Sequence, residues 1–220
     1  MIRELLPPWA CAAESFGDVQ GVRLHAEEEA AVARAVPARR REFATVRHCA
    51  RTALRQLGFA EQPLVPGAHG APGWPDGVVG SMTHCAGYRA AAVCRDGDAA
   101  GIGIDAEPDA PLPAGVLDAV ALPEERAHVS RLGRGPGSDV SWDRLLFSAK
   151  EALYKAWFPL AHRPLGFSSA SVVFDPEDHT FQARVRVPGP VVADREISVF
   201  RGRWAQGAGL LVTAVVVPRR

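Results

Sequence analysis

Apolar positions along the chain fall into two rhythms. Phe43, Val46, Ala50, Leu54 and Leu57 recur at helical spacing, which predicts a helix over 40–57 that Gly58 ends. A loop rich in Pro and Gly at 63–77 follows. Short apolar runs at 78–83, 88–94 and 101–107 then predict three strands, with Cys85-Ala86-Gly87 turning the first towards the second. Three prolines within 108–113 mark the expected boundary between an N-terminal half, 1–108, and a C-terminal half, 109–220. The second half repeats the order of elements. A helix is expected over 142–157, with Leu146, Ala149, Leu153 and Trp157 as its buried stripe, then strands near 170–174, 180–187, 196–200 and 210–217. The stretch 131–141, rich in Gly and Ser, reads as a mobile surface loop. The pattern predicts an α+β fold of two similar lobes, each with a helix packed on a small sheet.

Composition narrows the class. The chain has 220 residues, 47% of them hydrophobic, and zero formal net charge. Those values describe a globular protein with a sizeable core rather than a disordered chain. The neutral balance argues against non-specific nucleic-acid binding. No apolar run approaches the roughly 20 residues a membrane span needs, and residues 1–9 carry Arg3, Glu4 and Pro7-Pro8 where an export signal needs apolar chain. A cytoplasmic protein without a membrane partner is the expectation. Cys11, Cys49, Cys85 and Cys94 are widely spaced with no C-x-x-C, so they read as small buried hydrophobes rather than zinc ligands.

The basic residues change the picture more. Of 25 basic side chains only Lys150 and Lys155 are lysines, and both lie on the second predicted helix beside Glu151. Lysine is a compact point charge on a flexible stem, suited to following a phosphate through a reaction, whereas arginine is a planar fork. The bland reading is a Glu151–Lys155 surface pair at i,i+4, worth about 0.2–0.5 kcal/mol; it leaves Lys150 unexplained.

A second run, Gly101-Ile102-Gly103-Ile104-Asp105-Ala106-Glu107, alternates as a strand does. Ile102, Ile104 and Ala106 point into a core. Asp105 and Glu107 share the other face with Gly101 and Gly103, which suits close approach of a ligand and a cation. Asp105, Glu107 and Glu151 form an oxygen-only set of the kind Mg2+ takes together with phosphate oxygens; the alternative is a merely polar strand end. Thr83 and His84 end a strand before a glycine turn, where side-chain donors can meet a ligand. Arg39-Arg40-Arg41 opens the first helix and Arg47, Arg51 and Arg55 follow at four-residue spacing, either as a solvated face or as a phosphate clamp.

G-I-G-I-D-A-E followed by F-S-A-K-E-A-L-Y-K resembles the two-part signature of 4′-phosphopantetheinyl transferases. E-L-L-P-P, R-R-E-F-A-T-V-R-H-C-A-R and W-P-D-G-V-V-G-S-M-T-H-C-A-G-Y-R-A-A resemble the long, single-chain type that serves siderophore, polyketide and nonribosomal peptide synthases. The resemblance covers roughly residues 1–175 and implies a monomeric, pseudo-dimeric fold with the active site in the cleft between its lobes. It also implies transfer of the phosphopantetheine arm of coenzyme A to a serine of an apo acyl or peptidyl carrier protein, releasing adenosine 3′,5′-bisphosphate. By position, Asp105, Glu107 and Glu151 would hold Mg2+, and Glu151 would draw the serine proton, directly or through a metal-bound water. Lys155 would neutralise the leaving phosphate with Lys150 in support. Thr83 and His84 would contact the pyrophosphate or 3′-phosphate, Arg39 and Arg47 the 3′-phosphate, and His69 and Gly70 the adenosine. Carrier docking is expected near the second helix and the 131–141 loop. Two other readings stand beside this one: a coenzyme A- or carrier-binding protein without catalysis, and a metal-dependent nuclease, which the neutral charge and the helical Lys150-Glu151 order disfavour.

Overall fold

The computed structural model describes residues 1–67, 70–135 and 139–219. Strands β1 (Cys11–Phe16), β2 (Val78–Cys85) and β3 (Tyr88–Arg95) form an antiparallel sheet in the order β1-β3-β2. Strands β4 (Ala99–Pro108), β5 (Ala170–Asp175), β6 (Thr180–Val185), β9 (Val199–Gly207) and β10 (Leu210–Pro218) form a second, ordered β4-β10-β9-β6-β5. A small ribbon, β7 (Val191–Val192) with β8 (Arg195–Glu196), stands apart.

Each sheet carries one long helix. Helix α2 (Pro37–Gln56) starts with proline in its first turn, where the missing N–H costs nothing. It buries Cys49, Ala50, Ala53 and Leu54 against Ala91 and Val93 of β3. Helix α5 (Trp142–Ala161) buries Leu146, Ala149, Leu153 and Trp157, the predicted stripe, with Phe181, Phe200, Leu211 and Val215 of the second sheet. Three shorter helices, α1 (Ala26–Ala31), α3 (Val116–Val120) and α4 (Pro123–Leu132), fill the connections. The two-lobed α+β expectation therefore holds. Among the described residues no helix is long and apolar enough to cross a membrane.

Several expectations need correcting. The strand β4, expected to close the first half's sheet, is hydrogen-bonded along its length to β10 of the second sheet. Its other edge is served by side chains from β2: Ser81 Oγ accepts the Ile104 N–H at 3.0 Å and Thr83 Oγ1 accepts the Ala106 N–H at 3.2 Å. Two hydroxyls thus satisfy an edge that would otherwise present bare donors. The halves meet along this β2–β4 seam, and Ile102, Ile104 and Ala106 pack with Tyr88, Ala90 and Ala92 of β3 behind it. Residues 131–132 end helix α4 rather than open a loop. Strand β9 runs to Gly207, seven residues past the predicted end at 200.

Candidate active site

The seam is overlooked by both long helices, and the space between them is a cleft of about 530 Å3. Helix α2 contributes Arg39, Val46 and Arg47, β2 contributes Gly80 to Met82 and His84, and the loop between them contributes Gly70, Pro72 and Trp74. Helix α5 closes the far wall with Glu151, Tyr154, Lys155 and Phe158, and its capping residue His162 completes it. A cleft of this size suits a nucleotide-sized ligand.

Why α5 lies so close to β4 is answered by glycine. A Cβ on Gly103 would sit 1.9 Å from the Ala152 carbonyl oxygen, and one on Gly101 would sit 3.0 Å from that of Ala156. The bare strand face therefore admits the helix, not a ligand as the sequence pattern suggested. That contact brings Lys155 onto Asp105: its Nζ donates to Asp105 Oδ1 at 2.8 Å and to the Ile104 carbonyl at 3.0 Å. The i,i+4 pair with Glu151 is thereby displaced by a bond from α5 to β4. Thr83 Oγ1 also donates to Asp105 Oδ1, at 3.2 Å. The remaining oxygen, Asp105 Oδ2, is buried with no hydrogen-bond partner, an acceptor aimed at something that is not protein.

Three carboxylates share this neighbourhood and oppose one another's charge. Burial first, and the Asp105 charge second, hold both Glu107 and Glu151 above the ordinary glutamate range. Glu107 Oε2 receives Arg144 Nη1 at 2.9 Å, while the other ends of that guanidinium bind the carbonyls of Ala110 and Pro111 at 3.1 and 2.9 Å. Arg144 is a site residue the sequence did not reveal, because one arginine in an arginine-rich chain carries no signal. Among the described residues no three acidic, His or Cys side chains already converge with metal-ligand geometry. Even so, the orphaned Asp105 oxygen and two carboxylates held above their usual range fit a hard divalent cation, which relieves mutual repulsion.

On the opposite wall, Arg39 Nη1 lies 2.6 Å from both Glu42 Oε2 and His84 Nε2, and His84 Nδ1 lies 3.0 Å from Glu42 Oε1. With arginine as the donor, His84 carries its proton on Nδ1 and accepts through Nε2. Burial pulls its pKa down despite Glu42. The Arg47 side chain is 7% exposed, with its guanidinium 3.6 Å from the Phe43 ring centroid and its Nε donating to the Leu64 carbonyl at 3.3 Å. Burial lowers its pKa to about 10, so it remains a cation with unused donors at the cleft.

Three further expectations are corrected. Lys150 faces away from the cleft and is 4% exposed, its Nζ bound to Glu125 Oε2 at 2.7 Å and to the carbonyls of Val120, Phe167 and Ala170. With four acceptors it has nothing left for a phosphate; it ties α4, α5 and β5 together. Thr83 is 3% exposed and spends its hydroxyl on Asp105 and Ala106, so it braces the site rather than lining it. Arg51 is not on a solvated face either: its Nη1 bridges both oxygens of the buried Glu28 at 2.9 Å. Gly70 lines the cleft, and His69 lies outside the described residues.

Fold and cleft define a two-lobed α+β protein with a carboxylate cluster and a basic wall facing each other across the seam. Comparison with known sequences gives that arrangement its family. The 4′-phosphopantetheinyl transferase N-terminal domain model matches residues 27–94, and the 4′-phosphopantetheinyl transferase superfamily model matches residues 101–201. The chain is 57% identical to 4′-phosphopantetheinyl transferase Svp of Streptomyces mobaraensis, over 99% of this chain and 89% of that protein. It is 47% identical to PptT of Mycobacterium tuberculosis over 93% of this chain and 91% of that one, and 28% identical to enterobactin synthase component D of Salmonella typhi over 80% and 71%. The chain belongs to the 4′-phosphopantetheinyl transferase family, an enzyme of the holo-acyl-carrier-protein synthase type.

Proposed function

We propose that this protein transfers the 4′-phosphopantetheine arm of coenzyme A to a serine hydroxyl of apo acyl or peptidyl carrier proteins of polyketide, nonribosomal peptide or siderophore synthases, and that the transfer depends on Mg2+. The new bond joins serine Oγ to the phosphorus that bears the pantetheine. The bond from that phosphorus to the bridging pyrophosphate oxygen breaks, and adenosine 3′,5′-bisphosphate leaves. The observation that carries this reading is the buried, unpartnered Asp105 Oδ2, whose carboxylate is held by Lys155 of the basic cleft's wall.

Asp105, Glu107 and Glu151 are the residues that would hold Mg2+, whose chemistry there is neutralisation of pyrophosphate charge. Glu151, on the α5 wall of the cleft, draws the serine proton, directly or through a bound water. Lys155 reaches into the cleft from one turn further along α5 and meets the leaving phosphate, stabilising charge as it develops. Arg39, Arg47 and His84 bind phosphate oxygens of coenzyme A from the opposite wall, and the loop containing Gly70 lies along the adenosine. A monomeric, cytoplasmic enzyme accords with this reading.

Intact-mass spectrometry tests it. An apo carrier protein incubated with this protein, coenzyme A and Mg2+ is expected to gain one phosphopantetheine group, and a chelator is expected to abolish the gain. Absence of any gain across several acyl and peptidyl carriers, with coenzyme A still bound, would move the assignment to a non-catalytic binding protein.

A further inference from the structure

One face of the second sheet is covered by α5; the other is bordered beside β9 by residues 5–8 and is open over β5 and β6, and its composition is one-sided. Burial alternates along β6 and β9, so Phe181, Ala183, Phe200 and Trp204 turn inward while Gln182, Arg184, Arg201 and Arg203 turn outward. The register sets Arg201 opposite Gln182, Arg203 opposite Thr180 and Arg184 opposite Val199, which gathers the three guanidinium groups on one small patch. A groove of about 660 Å3 continues from Arg201 along β9 and β10, with Val199 and Val216 in it and Arg195 and Arg219 on its rim. Among the described residues none of these five arginine side chains has an ion-pair or hydrogen-bond partner. The carboxylate on the same face, Asp175, is engaged with the N–H groups of Glu177 and Asp178. In a chain whose net charge is zero, this is a segregation of charge onto an otherwise unoccupied surface.

We propose that this open sheet face docks an acidic protein surface, namely a carboxylate-rich part of the carrier-bearing substrate outside its reacting serine. The inference rests on the transferase reading for the partner's identity and on charge complementarity for the surface. Arginines flanking small apolar side chains suit carboxylates on a folded partner, and they steer and orient association more than they add to final affinity. Single-stranded nucleic acid fits less well, because the phenylalanines of these strands, Phe174, Phe181 and Phe200, are buried and offer bases nothing to stack on. An anionic membrane fits less well too, since the apolar residues between the arginines are valines too short to insert.

The probe is an acidic acyl carrier protein whose reacting serine is changed to alanine, so that binding is read without turnover. Fluorescence anisotropy at stepped salt compares the full-length protein with an Arg184→Ser/Arg201→Ser/Arg203→Ser variant whose fold is checked by circular dichroism. Binding is expected to weaken about tenfold at low salt, the sum of three exposed charge contacts, and its salt dependence to flatten, while coenzyme A affinity stays the same. Equal carrier affinity in the two proteins, or no carrier binding by either, overturns the proposal. So does tighter arginine-dependent binding of an oligonucleotide or of phosphatidylserine vesicles. The two readings fail separately: arginine-dependent carrier binding without transfer to the native carrier sinks the transferase reading alone, and transfer with arginine-independent binding sinks the docking surface alone.

Discussion

At the residue scale the two lysines, alike in the sequence, have opposite fates. Lys150 is enclosed with Glu125, whose Oε1 also accepts the Val172 N–H at 2.7 Å. Replacing Lys150 with Met leaves that carboxylate buried and unpaired, at a cost of about 3–5 kcal/mol. Thermal denaturation is expected to show a drop of roughly 10 °C, with the KM for coenzyme A unchanged in the folded fraction. Lys155→Met also leaves a buried carboxylate, Asp105, without its cation and so lowers stability, but it should in addition cut kcat in the folded fraction on the order of a hundredfold or more; a loss below twofold would return Lys155 to a structural pair with Asp105. Arg144 offers a third test, through pH. Its guanidinium opposes the burial and the Asp105 charge that push Glu107 upward. In Arg144→Met the Glu107 pKa rises further, so the acid limb of the kcat/KM profile should move to higher pH. A limb that stays in place, or moves to lower pH, would separate Glu107 from catalysis.

At the element scale, Gly103 fixes the distance between β4 and α5 and so the reach of Lys155 to Asp105. The backbone oxygen a new methyl would strike cannot rotate away, so Gly103→Ala must push α5 outward. Its expected outcome is a joint loss of stability, about 1–3 kcal/mol, and of turnover. Normal activity would mean that the helix spacing is not what places Lys155. The long elements were legible because their periodicity is strong: the stripe of α5, the stripe of α2 and the alternation of β4 all stand in the sequence as they do in the fold. Short elements were not. Strand β1 reads Cys-Ala-Ala-Glu-Ser-Phe, with no alternation and little β propensity, and is formed by pairing with β3. Strand β9 carries Arg, Gly and Gln past Phe200, which looks like loop until the inward Gly202 is seen to seat the Phe181 ring. The partners of Lys150 come from α4, β5 and the segments beside them, so no local pattern could distinguish it from Lys155.

At the scale of the whole molecule, the candidate site is the joint between halves. Asp105 lies on a strand paired with the second half yet is braced by Thr83 of the first, and the cleft draws one wall from α2 and the other from α5. A ligand spanning that cleft therefore bridges both sheets, and its binding energy enters the stability of the entire fold: about 2.7 kcal/mol at a hundred times its Kd, which is several degrees of melting temperature for a chain of this size. Scanning fluorimetry can divide that shift between its sources. Coenzyme A alone is expected to raise the melting temperature through Arg39, Arg47 and His84, and Mg2+ to add a second increment only when coenzyme A is present, because the cation needs pyrophosphate oxygens to complete its shell. Asp105→Ala should keep the first increment and lose the second. Arg47→Ala should do the opposite at limiting coenzyme A, shrinking the first while leaving a metal increment at saturation. Should Asp105→Ala retain the full metal increment, the unpartnered oxygen at the centre of the seam belongs to some other contact, and the metal assignment falls with it.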